Sequence, residues 1–160
     1  MINCVTCHTR REIENMVPSN ALISITSHGE HPPNLTGWGA VLRVVFDDMA
    51  GLNEASGFKT EQADQIIAFL DRLPEGLSRV HVQCGGAISR SPGVLKFLCA
   101  RYGLYFESAR YPSYNQLVYC TLCERAGLTP ECEGMDQLFF SDPNLTTATS
   151  EIRKASCKPT

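Results

Sequence analysis

The stretch 79–103 constrains this chain more than any other. RVHVQ (79–83) alternates and is rich in β-branched residues, a strand pattern. CGGAISRSP (84–92) is a Gly- and Ser-rich turn. SPGVLKFLCARYG (91–103) reads as a helix, with Pro92 near its first turn and Gly103 at its end. A strand that turns directly into a helix belongs to a layered fold of alternating strands and helices. The rest of the chain repeats the alternation. INCVT (2–6), ALISITS (21–27) and AVLRVVF (40–46) read as strands, the last largely buried. HGEHPPNLTG (28–37) is a loop. Ala63, Ile66, Ile67, Leu70 and Leu73 fall on one helical face behind Thr60 as N-cap, and Pro74 and Gly76 stop that helix. A last helix is expected over 113–126, ended by Gly127. The expected fold is a single α/β domain with a central, mostly parallel sheet flanked by helices.

From Leu128 the apolar pattern decays, and the terminal TTATSEIRKASCKPT is polar and aperiodic. Residues 128–160 therefore read as an extension, partly packed and then mobile, on a domain spanning 1–127. At 160 residues the chain is long enough for one real core. A net charge of −3 argues against nucleic-acid binding, which needs clustered Lys and Arg. The eight cysteines would suit a disulfide framework in a secreted protein. The N-terminus, however, has no apolar signal region, and the longest apolar stretch is short and carries Arg43. The expectation is a cytoplasmic chain that meets no membrane, with its cysteines mostly reduced and buried.

Chemistry concentrates in HVQCGGAISRSPG (81–93). A Gly-rich loop at a helix N-terminus turns several backbone N–H groups toward one point, which makes an anion site. Cys84 stands at the base of that field, where the nucleophilic thiolate is favoured. Arg90, across five intervening residues, can grip two oxygens of a phosphate. A thiolate nucleophile and an oxyanion cradle at one point describe attack on phosphorus.

The segment resembles the signature loop of the cysteine-dependent protein phosphatases, in which Cys, five residues and Arg are followed by Ser or Thr. The likeness is to their tyrosine and dual-specificity group, and in size to compact bacterial and phage members. Among phage members the working compartment would be the host cytoplasm. The resemblance covers residues 20–126 and implies hydrolysis of a phosphate monoester through a phosphocysteine on Cys84, without metal or cofactor. Arg90 and the backbone of Gly85, Gly86, Ala87, Ile88 and Ser89 would bind the phosphoryl oxygens, and Ser91 would assist the leaving thiolate. The family's general acid is an Asp after an upstream strand. Here FDD offers Asp48, 36 positions before Cys84, with Asp47 a close second. Gln83 stands where the family usually has His, and Ala87 where it usually has Gly. Ala87 would be strained if its backbone needs positive φ. The implied partner is a phosphorylated protein or a small phosphate ester. A catalytically inert module that binds phosphorylated partners is the alternative.

Other residues carry weaker signals. Cys4-x-x-Cys7 and Cys120-x-x-Cys123 could form a zinc site or redox dithiols, but one pair lies in a strand and the other in a continuous helix. The resemblance also allows a second Cys to protect Cys84 by a disulfide, without saying which. His28, His31 and His81 read as loop or strand residues, and Trp38 packs near the third strand. Asn115 reads as a helix cap and as a candidate hydrogen-bond partner of the active-site loop, and Arg110 and Tyr111 as candidates for lining the cleft.

Overall fold

The computed structural model describes residues 1–49 and 55–131. Its elements run β1 (Cys4–Thr9), α1 (Arg10–Asn15), β2 (Ala21–Thr26), β3 (Ala40–Val45), α2 (Thr60–Asp71), β4 (Arg79–Cys84), α3 (Arg90–Tyr102) and α4 (Gln116–Arg125). The four strands form one sheet in the order β1-β4-β2-β3, with every pair parallel. The α/β expectation thus holds, with a wholly parallel sheet.

The central strands explain why local pattern found them. Every residue of β2 is buried, as are residues 80–84 of β4. Strands covered on both faces read as continuous apolar or β-branched runs. Ile23, Ile25, Val80 and Val82 turn to the main core with Ala63, Ile66, Val94, Phe97, Leu98, Val118 and Leu122. The opposite face is thinner: Leu22 packs there with Ile13 of α1, Leu35 and Trp38.

Four local differences from expectation follow. The strand β3 is an edge and not largely buried: Val41 and Val45 are exposed, and Arg43 between them donates to Pro33 O at 3.0 Å. An edge strand needs only one covered face, and V-R-V at alternate positions is that pattern. The first strand covers 4–9 and not 2–6, because its register with β4 runs from Cys4↔Arg79 to Thr9↔Cys84. The short helix α1 was not foreseen, although TRRE is a capping box. Thr9 Oγ1 accepts from the Glu12 N–H and Glu12 Oε2 from the Thr9 N–H. The cap of α2 is Lys59, whose N–H donates to Gln62 Oε1, so Thr60 is the first helical residue. The turn at 103 is as expected: Gly103 has φ 67°, a left-handed helix end.

Of the 128–160 extension, Leu128 packs on the core and Glu131 N–H donates to Tyr119 Oη at 3.1 Å. Residues 132–160 lie outside the described residues. Among the described residues, no helix is long and apolar enough to cross a membrane.

Candidate active site

A parallel sheet brings the C-terminal ends of its strands to one edge, where α/β folds place their sites. Ser27 follows β2, Asp47 and Asp48 follow β3, and Cys84 closes β4. The turn 85–89 then leads into α3.

Cys84 is 3% exposed, and its Sγ lies 3.1 Å from Ser91 Oγ. Ser91 is wholly buried in the first turn of α3. Ala87 has φ 52°, so the strain anticipated for a side chain at this position is present. Among the described residues, no backbone carbonyl takes the N–H groups of Gly86, Ala87, Ile88 or Ser89. N–H groups of this kind, in a turn at a helix N-terminus, are suited to holding an anion.

Arg90 is anchored from one side. Its Nη1 donates to Ser27 Oγ and to Phe46 O, each at 2.9 Å. A Cβ built on Gly85 would lie 3.9 Å from Nη2, so the free side of the fork overhangs the start of the loop. One nitrogen fixes the guanidinium and leaves the rest to face oxygen ligands. Neither Ser27 nor Phe46 O was singled out from the sequence. The one signal was position: Ser27 is a small polar residue directly after a buried strand.

The two aspartates part company. Asp48 Oδ1 accepts from Ser89 Oγ at 2.7 Å and from Asn115 Nδ2 at 2.9 Å. Asp48 is therefore tied to the candidate phosphate loop. Ser89 is the N-cap residue of α3, yet its hydroxyl makes no capping bond, because it is spent on Asp48. Asp47 turns the other way. Its Oδ1 accepts from the His28 N–H at 3.0 Å, with His28 Nδ1 at 3.5 Å. The His28 N–H, then a hydrogen bond with the Ser56 side chain, hold the Asp47 carboxyl below its ordinary range.

Gln83 is buried and accepts from Ser24 Oγ at 2.7 Å, across the sheet toward β2. Its side chain is engaged with the strand and not with the turn that follows. His81 Nδ1 meets Thr6 Oγ1 at 2.9 Å and His8 Nε2 at 3.0 Å, and burial lowers its pKa to about 4. Both residues occupy the sheet face opposite Cys84.

The other cysteines are dispersed. Cys7 packs in the main core and hydrogen-bonds Ser91, so one hydroxyl serves Cys7 and Cys84. Burial pushes the Cys7 thiol up to about 12. Cys4, three residues away on a strand, points to the other face, so this pair does not converge. Cys123 is free and buried in α4, its thiol pushed up to about 11 by burial. Cys120 is disulfide-bonded, so the expectation of reduced thiols fails there. Among the described residues, no three His, Cys, Asp or Glu side chains gather as metal ligands. Arg110 and Tyr111 line a pocket of about 330 Å³ beside β1 with Cys7, His8, Glu12 and Phe106; Cys84 is not among its lining residues.

Comparison with protein-family models, curated proteins and solved structures finds no match to this chain.

Proposed function

We propose that this chain hydrolyses phosphate monoesters through a covalent phosphocysteine, in the manner of the tyrosine and dual-specificity protein phosphatases, and that its α/β domain is of that type. One observation carries the reading: around the turn 84–91, Cys84 Sγ meets the Ser91 hydroxyl, the anchored Arg90 fork overhangs Gly85, and Asp48 reaches in from the end of β3 to Ser89. A buried structural cysteine requires none of the other three.

The reaction follows from these positions. The Cys84 thiolate attacks phosphorus while the bond to the ester oxygen breaks. Arg90 and the turn N–H groups stabilise the equatorial oxygens as charge spreads over them. Asp48, protonated, gives its proton to the departing oxygen. As carboxylate it then takes a proton from water, which attacks phosphorus and expels Cys84. The Ser91 hydroxyl donates to the thiolate as the S–P bond breaks. A phosphorylated protein or a small phosphate ester is the substrate class. The nucleophile must stay reduced, which suits work in the cytoplasm.

Gln83 favours keeping a second reading in the test, because its Oε1 is taken by Ser24 on the sheet face opposite Cys84 and, among the described residues, its buried Nε2 has no partner. In that reading the loop binds a phosphorylated partner without turnover. Hydrolysis of p-nitrophenyl phosphate by the wild type, with none by Cys84→Ser, is the result the phosphatase reading expects. Binding of inorganic phosphate with no turnover by the wild type would replace it with the inert module.

A further inference from the structure

We infer that Asn115 is a positioning residue for proton transfer, a role that rests on the phosphatase reading. Asn115 lies between α3 and α4, is 7% exposed, and joins three segments that are remote in sequence. Its Oδ1 accepts from the Val118 N–H at 3.1 Å and so caps α4. Its Nδ2 donates to Asp48 Oδ1 at 2.9 Å and to Met49 O at 3.0 Å. Its own N–H donates to Ser89 O at 2.9 Å. The amide orientation is chemically determined, since Nδ2 faces two acceptors and Oδ1 faces a donor. Each polar atom of the side chain is used, and only an amide supplies both the acceptor for the helix and the paired donors for the acid loop.

The neighbouring sequence makes room for this junction. A Cβ built on Gly93 of α3 would stand 2.7 Å from Asn115 O and 3.1 Å from Val118 Cβ. The glycine therefore lets the first turn of α3 press against the start of α4. That contact sets Asn115 beside Ser89, and Ser89 in turn donates to the same oxygen of Asp48.

Two donors on Asp48 Oδ1 have a chemical consequence. An oxygen already accepting two hydrogen bonds is the poorer place for a proton, so the transferable proton of the acid form sits on Oδ2. Asn115 and Ser89 thus choose which oxygen carries the proton and hold the carboxyl over the loop on which the ester would lie. Neither residue touches the substrate to do so. In the step that cleaves the ester, a misplaced acid costs rate only where the leaving oxygen needs a proton, and that dependence, read in kcat/KM, separates positioning from a merely structural role.

The test uses Asn115→Ser in the full chain, because Ser caps a helix as well as Asn but has no paired donors to offer. Two esters are compared: phenyl phosphate, whose leaving oxygen needs protonation, and dinitrophenyl phosphate, whose leaving oxygen does not. The expected result is a fall in kcat/KM, which reports the ester-cleaving step, of about 10- to 100-fold on phenyl phosphate, no more than about threefold on dinitrophenyl phosphate, and unchanged inhibition by inorganic phosphate. The double variant with Asp48→Asn should be no slower than Asp48→Asn alone, since both act through one proton. Equal slowing of the two esters, or no slowing of either, would overturn the positioning role while leaving a Cys84-dependent phosphatase standing. A wild-type chain that turns over neither ester would remove the phosphatase reading and the positioning role together.

Discussion

Asp47 and Asp48 are adjacent in sequence and are held by different partners. Asp48 is fastened by Ser89 and Asn115 to the turn that would hold phosphate. Asp47 is fastened to His28, next to Ser27, and Ser27 is the residue that anchors Arg90. In the proposed reaction the first of these carboxyls moves a proton. The other stays ionised and braces the seat of the arginine. A strand end that sends successive side chains to opposite sides makes this division possible. Identity alone could not assign the roles, because both residues are aspartates after the same strand.

The comparison breaks most readily at Asp48. Asp48→Asn should lower kcat on phenyl phosphate by about 10²- to 10⁴-fold, the usual worth of a positioned general acid, and should abolish the alkaline fall of the pH–rate profile. If Asp47→Asn gives that loss instead and Asp48→Asn does not, the two roles are exchanged. Ser27→Ala tests the other side. Freed from its anchor, Arg90 should bind phosphate less well, raising KM by about tenfold for one charged hydrogen bond lost, with kcat changed much less. An equal fall in kcat would place Ser27 in the chemistry and not behind the arginine.

A smaller effect is expected of Asp47→Asn, a rise in KM of about threefold through the loosened His28 turn. Its pH signature is more specific. The folded pKa of Asp47 lies below the ordinary value of 3.8. Its contribution to stability is therefore complete above that value and is lost as pH falls through the folded pKa. Thermal melts of wild type and Asp47→Asn should converge as the pH falls below this window. Melts that stay equally separated down to the acid limit would refute the ionised brace. The smallest change is Ala87→Gly. Relief of the φ 52° strain should stabilise the chain by about 1 kcal/mol in denaturant unfolding. The contrast between the Asp47 and Asp48 variants should persist in that background. A destabilised Ala87→Gly chain would show that the turn carries no such strain.

Much of the frame was legible because its signals are local. The β4–turn–α3 unit was read to within a residue, since β-branched alternation, glycines and a terminal Gly each act over a few positions. The role of Asn115 as a helix cap was legible for the same reason. Its second role was not established by sequence, because Asp48 is 67 residues away and only the packing of Gly93 brings the two together. Ser27 and Arg90 are likewise 63 residues apart. The proximity of Cys7 to Ser91 depends on β1 pairing with β4, and strand order leaves no mark in either strand alone. The edge position of β3 does leave a mark, in Arg43 between two valines. The capping box that starts α1 is legible in Thr9 and Glu12, but a helix of six residues is too short to show an apolar period.

The proposed reaction passes through a bond between Cys84 and phosphorus. Rapid acid quench of the chain during turnover of dinitrophenyl phosphate, followed by peptide mass spectrometry, reads that bond directly. A phosphoryl group on the Cys84 peptide, more abundant in Asp48→Asn and absent in Cys84→Ser, is the predicted result. Steady hydrolysis with no phosphorylated Cys84 peptide in either the wild type or Asp48→Asn, or hydrolysis that survives Cys84→Ser, would contradict it.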